Sequence, residues 1–213
     1  DMNWAVPACI VLDHYTAYGL EQDENSSIGA GGTLNPDNGK IQAFWTGEYQ
    51  IAARANSVIY GAKDAVAGMS DAARQYYAEA RVLRAYAYYN LISAFGDVPF
   101  FTAPVTIDEY KVGRTPKGEI IDFLIKDLND AADYLPWTAT QRGRVDKAVA
   151  YGLIARMGLF GGSFNVENKA TEYFRIAADA ANKVIGKRKL APKFSDLFNL
   201  TGQAKSEVRD ELL

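Results

Sequence analysis

The chain has one cysteine, Cys9, and one histidine, His14. A single thiol can form neither an internal disulfide nor a thiol-based zinc site. A single imidazole confines any serine–histidine–aspartate chemistry to the surroundings of His14, and no Gly-x-Ser-x-Gly elbow accompanies it. His14 falls on an amphipathic N-terminal segment, where a structural role is the expectation. Charge of one sign is also missing. With 23 basic and 26 acidic residues the net charge is −3, and no basic stripe interrupts the pattern, so nucleic acid is not an expected partner. No apolar run reaches the length of a membrane-spanning helix. Nothing in the sequence asks for a cofactor.

What the chain does have is aromatic side chains, with 13 Tyr, 10 Phe and 3 Trp, in 213 residues that suffice for a substantial core. Their densest run is Glu79 to Phe101, EARVLRAYAYYNLISAFGDVPFF. Tyr76, Ala80, Leu83, Ala87 and Leu91 recur at three- and four-residue steps and predict one apolar helical stripe. Ala73, Ala80 and Ala87 place a small residue at every second turn, which lets another helix approach. Arg81 and Arg84 flank the stripe, where their stems cover apolar surface while the guanidinium reaches a carboxylate or a carbonyl. Gly96 suits a left-handed helix terminus and Pro99 prevents resumption.

The remainder reads as more helices. Residues 2–18 form one, with Pro7 in its first turn. Residues 19–41 are rich in Gly, Asn, Asp and Pro and predict a long loop, a length more often functional than filler. A helix at about 42–66 carries Trp45, Tyr49, Ala52, Asn56 and Ile59, and Ser70 or Asp71 caps the next. An extended segment, Phe100 to Tyr110, leads to Thr115 as N-cap and Pro116 as first residue of a helix. That helix buries Ile121, Leu124, Ile125, Leu128, Ala132 and Leu135 and stops at Pro136. Asp146 caps a helix through Val149, Leu153, Ile154 and Met157, ended by Gly161-Gly162. A last long helix, about 169–185, turns Phe174, Ala177, Ala178, Ala181 and Ile185 inward before Gly186. Residues 187–213 form a mixed tail with a short helix around Phe194 to Phe198. Helix pairs with one apolar face each must stack to bury it, so the expectation is an all-α, tetratricopeptide-like array in a single domain spanning 1–213.

The run Ala80-Arg81-x-x-Arg84-Ala85 through Phe95-Gly96-Asp97-Val98-Pro99 resembles the signature of the SusD/RagB family, surface glycan-binding lipoproteins of Bacteroidetes. Further stretches resemble the same family in order: Trp45-x-x-x-Tyr49-x-Ile51 with Ala55-Asn56; Arg114-Thr115-Pro116 with Asp127-Leu128-x-x-Ala131 and Leu135-Pro136; Gly143-Arg144-Val145-Asp146-Lys147-Ala148; Phe194-x-Asp196-Leu197-Phe198; and Ser206-Glu207-Val208. Asp146 stands where that family usually has Ser or Thr. Family members are about twice this length or more, so the chain resembles their N-terminal helical portion. The resemblance implies a non-catalytic protein of the cell outer membrane, surface-exposed, that hands oligosaccharide to a SusC-like TonB-dependent transporter. It also implies that aromatics from a further half complete the sugar site, and that a lipid anchor lies upstream of Asp1. Val6-Pro7-Ala8-Cys9 is a poor lipobox, because no positive segment precedes it and the apolar Ile10-Val11-Leu12 follows. The rival reading is a tetratricopeptide-like protein-interaction scaffold with no ligand of its own.

Most matched words predict packing. The Arg81/Arg84 pair is expected to be buried or semi-buried, and Asn56 to be a satisfied core amide. Asp122, Asp127, Asp130 and Asp133 spread round one helix and predict a solvated surface. The candidate binding residues are Asp23, Asn25, Asn35, Asp37 and Asn38, whose short polar side chains suit sugar hydroxyls. Trp45 joins them, with Phe44, as a stacking platform. Asp23-x-Asn25-x-Ser27-x-Gly29 breaks calcium-loop spacing and lacks the terminal glutamate, so no metal is expected there. A glycosidase would need two positioned carboxylates, and no pair stands out.

Overall fold

The computed structural model describes residues 39–106, 111–139, 141 and 143–203. The helix expected over 2–18 and nearly all of the 19–41 loop lie outside them. Residues through Ile51 belong to one compact unit and those from Ala52 to another. The described residues are helical: α1 (Gly39–Ala62), α2 (Asp71–Phe95), α3 (Lys117–Ala132), α4 (Lys147–Ser163), α5 (Ala170–Val184) and the short α6 (Leu200–Gln203), with 3-10 turns at Val66–Gly68, Val166–Asn168 and Phe194–Leu197. Among them the only extended pairings are two isolated bridges, Val98 with Thr115 and Ile185 with Arg188. The all-α expectation holds. The last residues assigned to the loop, 39–41, already belong to α1.

Helix α2 starts as expected, with the Ser70 hydroxyl accepting the Ala73 N–H at 3.3 Å. Its buried face differs from the expected stripe. Ala80, Ala87 and Leu91 are buried, but Tyr76 and Leu83 are 55% and 46% exposed. Ala78, Val82, Ala85, Tyr88 and Ile92 are buried in their place. The helix packs on two sides, so a single stripe drawn through Tyr76 and Leu83 misassigns its edges. Gly96 ends it at φ 74°, ψ −127°, outside the left-handed helical region but still in glycine's territory.

The Gly-Asp-Val-Pro turn then ties α2 to α3. Val98 is buried and its carbonyl accepts the Thr115 N–H at 2.9 Å. Asp97 Oδ1 accepts the Lys117 N–H at 2.9 Å across 20 residues, satisfying a donor at the start of α3. Thr115 is therefore not the N-cap. A distant carboxylate takes that place, which local pattern could not show. The α3 face is as expected: Ile121, Leu124, Ile125, Leu128, Ala132 and Leu135 are all buried.

Asp146 caps α4, its Oδ1 accepting the Val149 N–H at 3.1 Å. Its second oxygen pairs with Arg188, an ion pair that an uncharged Ser or Thr could not make. Gly161 and Gly162 stand in the last turn of α4, which ends one residue later at Ser163, as expected. A Cβ on Gly158 would stand 2.7 Å from the Tyr173 carbonyl, and one on Gly161 2.8 Å from the Tyr173 ring. The glycines let α5 lie against α4. Helix α5 buries Tyr173, Ala177 and Ala180. Of the expected face, Ala177 is buried and Ala181 half-buried, while Phe174, Ala178 and Ile185 are exposed. Alanine is apolar but too small to mark a face, so the alanine run left the phase open.

Candidate functional site

Of the six candidate binding residues, Asp23, Asn25, Asn35, Asp37 and Asn38 lie outside the described residues. Trp45 is half-buried on α1, its ring 4.8 Å from that of Tyr49 one turn on, tilted by 50°. The two rings make one continuous aromatic surface on the helix.

The best-defined polar cluster is built by the signature helix. Arg84 is buried, and its Nη2 donates to Asp127 Oδ2 at 2.6 Å. Arg81 Nε donates to the other oxygen, Oδ1, at 2.8 Å. One carboxylate on α3 thus holds two guanidinium groups on α2, and the expected solvated Asp127 is instead a buried counter-ion. The reason is spatial: charges on two helices met only when those helices packed. Asp122 is exposed, as expected, and accepts the Tyr173 hydroxyl at 2.8 Å and Lys169 Nζ at 2.9 Å.

Arg84 Nη1 also donates to Asn56 Oδ1 at 3.1 Å and to the Thr102 carbonyl at 3.3 Å. Asn56 Nδ2 donates to the Phe101 carbonyl at 2.8 Å. Asn56 is a satisfied core amide, as expected. The Tyr88 hydroxyl accepts the Phe101 N–H at 2.8 Å, and burial above all pushes its pKa up to about 12, against the opposing pull of Phe101 and Arg84. Phe100 meets Tyr88 and Phe123 edge-on at 4.7 and 5.1 Å. Together these groups fix the segment after the turn against α1, α2 and α3. Apart from the buried Arg84 Nε, which has no hydrogen-bond partner among the described residues, the donors described in this cluster are spent on one another and on backbone carbonyls, so it positions backbone.

A second tie holds the Gly143-Arg144 turn. Arg144 Nε donates to Glu79 Oε1 at 3.1 Å, and Nη2 pairs with Oε2. The guanidinium also lies 4.7 Å from the centre of the Tyr76 ring. The hydrogen bond to Glu79 raises the Arg144 pKa, keeping it charged.

Sequence reasoning missed a surface cluster around Trp137 and Tyr151, whose ring centres are 6.1 Å apart. Lys147 and Lys187 lie 5.8 and 5.7 Å from the Trp137 ring centre, and Lys183 lies 4.4 Å from that of Tyr151. The signal was present as Lys147–Tyr151 and Lys183–Lys187 spacings of one turn, but nothing local put them beside a tryptophan in a loop. Among the described residues no His/Cys/Asp/Glu group could hold a metal, and no helix is long and apolar enough to cross a membrane.

A sequence model of the SusD-like family, described as starch-binding and associating with the outer membrane, matches residues 8–159. The chain belongs to this family. SusD-like protein P2 of Formosa agariphila is 32% identical over 171 residues, covering 78% of this chain and 32% of that protein. A SusD-like structure from Bacteroides fragilis superposes with a TM-score of 0.69 at 16% identity, over 96% of this chain and 44% of the other. A crystal structure with xylogluco-oligosaccharide superposes with a TM-score of 0.66 at 25% identity, over 78% and 34% of the two chains. The chain thus spans about a third of the curated relative's length.

Proposed function

We propose that this chain is the helical portion of a non-catalytic, surface-exposed outer-membrane protein that captures oligosaccharide and passes it to a SusC-like TonB-dependent transporter. The observation that carries the reading is the family match over residues 8–159, described as starch-binding and associating with the outer membrane. The similar structure with xylogluco-oligosaccharide supports a saccharide ligand. Membrane association comes through a lipid anchor upstream of this chain. Ligand hydroxyls are held by Asp23, Asn25, Asn35, Asp37 and Asn38, and a sugar face stacks on Trp45. Weak contacts in an open site give millimolar affinity at best for this chain alone, since every 1.4 kcal/mol lost is about tenfold.

Calorimetry with a panel of neutral glycans, on this chain and on a longer protein containing it, tests the reading. Tighter binding by the longer protein, weakened by Trp45→Ala, is expected. Absence of binding by both, with retained capture of the transporter, would establish the second reading, a tetratricopeptide-like scaffold. That reading draws on Tyr76, Leu83 and Tyr86, large side chains that α2 leaves exposed.

A further inference from the structure

We propose that Trp137, Tyr151, Lys147, Lys183 and Lys187 form a second saccharide subsite, selective for a sugar bearing a carboxylate or sulfate group. It stands where α3 ends, α4 begins and α5 ends, and it shares no residue with the Trp45 site.

Two clamps hold the platform. The Pro136 carbonyl accepts the Lys147 N–H at 2.9 Å, and Arg188 Nη2 donates to the Trp137 carbonyl at 3.0 Å. Arg188 is itself anchored by the buried Asp146. The backbone of Trp137 is therefore fixed to the start of α4, and its half-buried ring stands beside Tyr151 on the same helix. Half-buried rings on a backbone held by hydrogen bonds present a face for a sugar ring to stack on.

The charge around that face is one-sided. The chain as a whole carries −3, yet three ammonium groups converge on these two rings. No carboxylate among the described residues pairs with any of the three. Lys183 Nζ reaches only the neutral Asn129 Oδ1, at 3.4 Å. Asp146, the buried acid on this side, is committed to Arg188 and to the helix cap. Cations gathered over aromatic faces and paired with no carboxylate among the described residues suit an anionic group set on an apolar ring plane, which is the chemistry of an acidic sugar. A bilayer surface would supply anions too, but gives a pair of half-buried rings nothing to stack on.

The test is titration of the chain with oligogalacturonate, its methyl ester, a sulfated oligosaccharide and anionic phospholipid vesicles, following the Trp137 indole N–H by NMR. The acidic sugars should shift the Trp137 signal and bind more weakly at high salt. Lys183→Ala/Lys187→Ala, two exposed positions that should leave the helical circular dichroism spectrum intact, should weaken binding by at least about tenfold, one to two charge-assisted contacts. Lys147→Ala is the second variant and should weaken binding in the same direction. Equal binding of the methyl ester, no shift at Trp137, or unchanged affinity in both variants would overturn the proposal. So would lysine-dependent vesicle binding without sugar binding. Because the neutral panel reports on the Trp45 site, failure here leaves that reading intact, and the converse holds.

Discussion

Removing the Asp127 carboxylate would leave the buried Arg84 and the neighbouring Arg81 without their shared counter-ion. Breaking such a buried pair costs about 3–5 kcal/mol, far more than the pair itself contributes. Asp127→Ala should therefore lower the urea midpoint steeply. Lys126→Ala, which removes the exposed pair with Asp130, should change stability by under about 1 kcal/mol. If both variants unfold alike, the Asp127 cluster is solvated. A different cost applies at Ala87, which is fully buried on α2. Ala87→Leu should overpack that face and cost about 1–3 kcal/mol, read as a lower melting temperature.

Helix α4 offers two glycines with opposite expected signs. Gly152 has nothing within 4 Å of an added Cβ, so Gly152→Ala should stabilise by about 0.5–1 kcal/mol through helix propensity alone. Gly158 would place that Cβ 2.7 Å from the Tyr173 carbonyl oxygen and 2.9 Å from the Ala177 nitrogen, backbone atoms of α5 that cannot swing away. Gly158→Ala should force α4 and α5 apart and cost about 1–3 kcal/mol net. Chemical denaturation of the pair is the check. Matching shifts of the same sign would mean that α5 does not lie against this face.

At the scale of the whole molecule, two tyrosines on different helices set an alkaline limit. Burial foremost lifts Tyr88 on α2 to about 12. Burial, then the bond to Asp122, moves Tyr173 on α5 upward as well. Both groups keep their protons longer in the folded chain than in the unfolded one. Their contribution is thus complete below about pH 10, the unfolded tyrosine value, and is lost as pH rises through the folded values. Stability should fall from about pH 10 upward, and phenolate absorbance from these two should appear together with loss of helix. Ionisation of both before any loss of ellipticity would show that neither is buried.

The sequence by itself determined that the chain is helical, where most helices lie and which family it belongs to. Those signals are local: Ser70 and Asp146 cap from the next residue, and α3 announces its face with large side chains at helical steps. It also determined that Arg84 and Asn56 are core groups. What only the tertiary structure decided was which partners they have. Asp127 looked like one of four surface acids until α3 lay on α2, and Asp97 became the cap of α3 only through a turn that reverses the chain. The face of α5 was only partly legible because its alanines mark no direction, and the close approach that the α4 glycines allow was hidden because the neighbour they meet lies on another helix. The Trp137 cluster has the same origin. Its rings and ammonium groups come from a loop and two helices, and no spacing within one element can show that three segments end at one place.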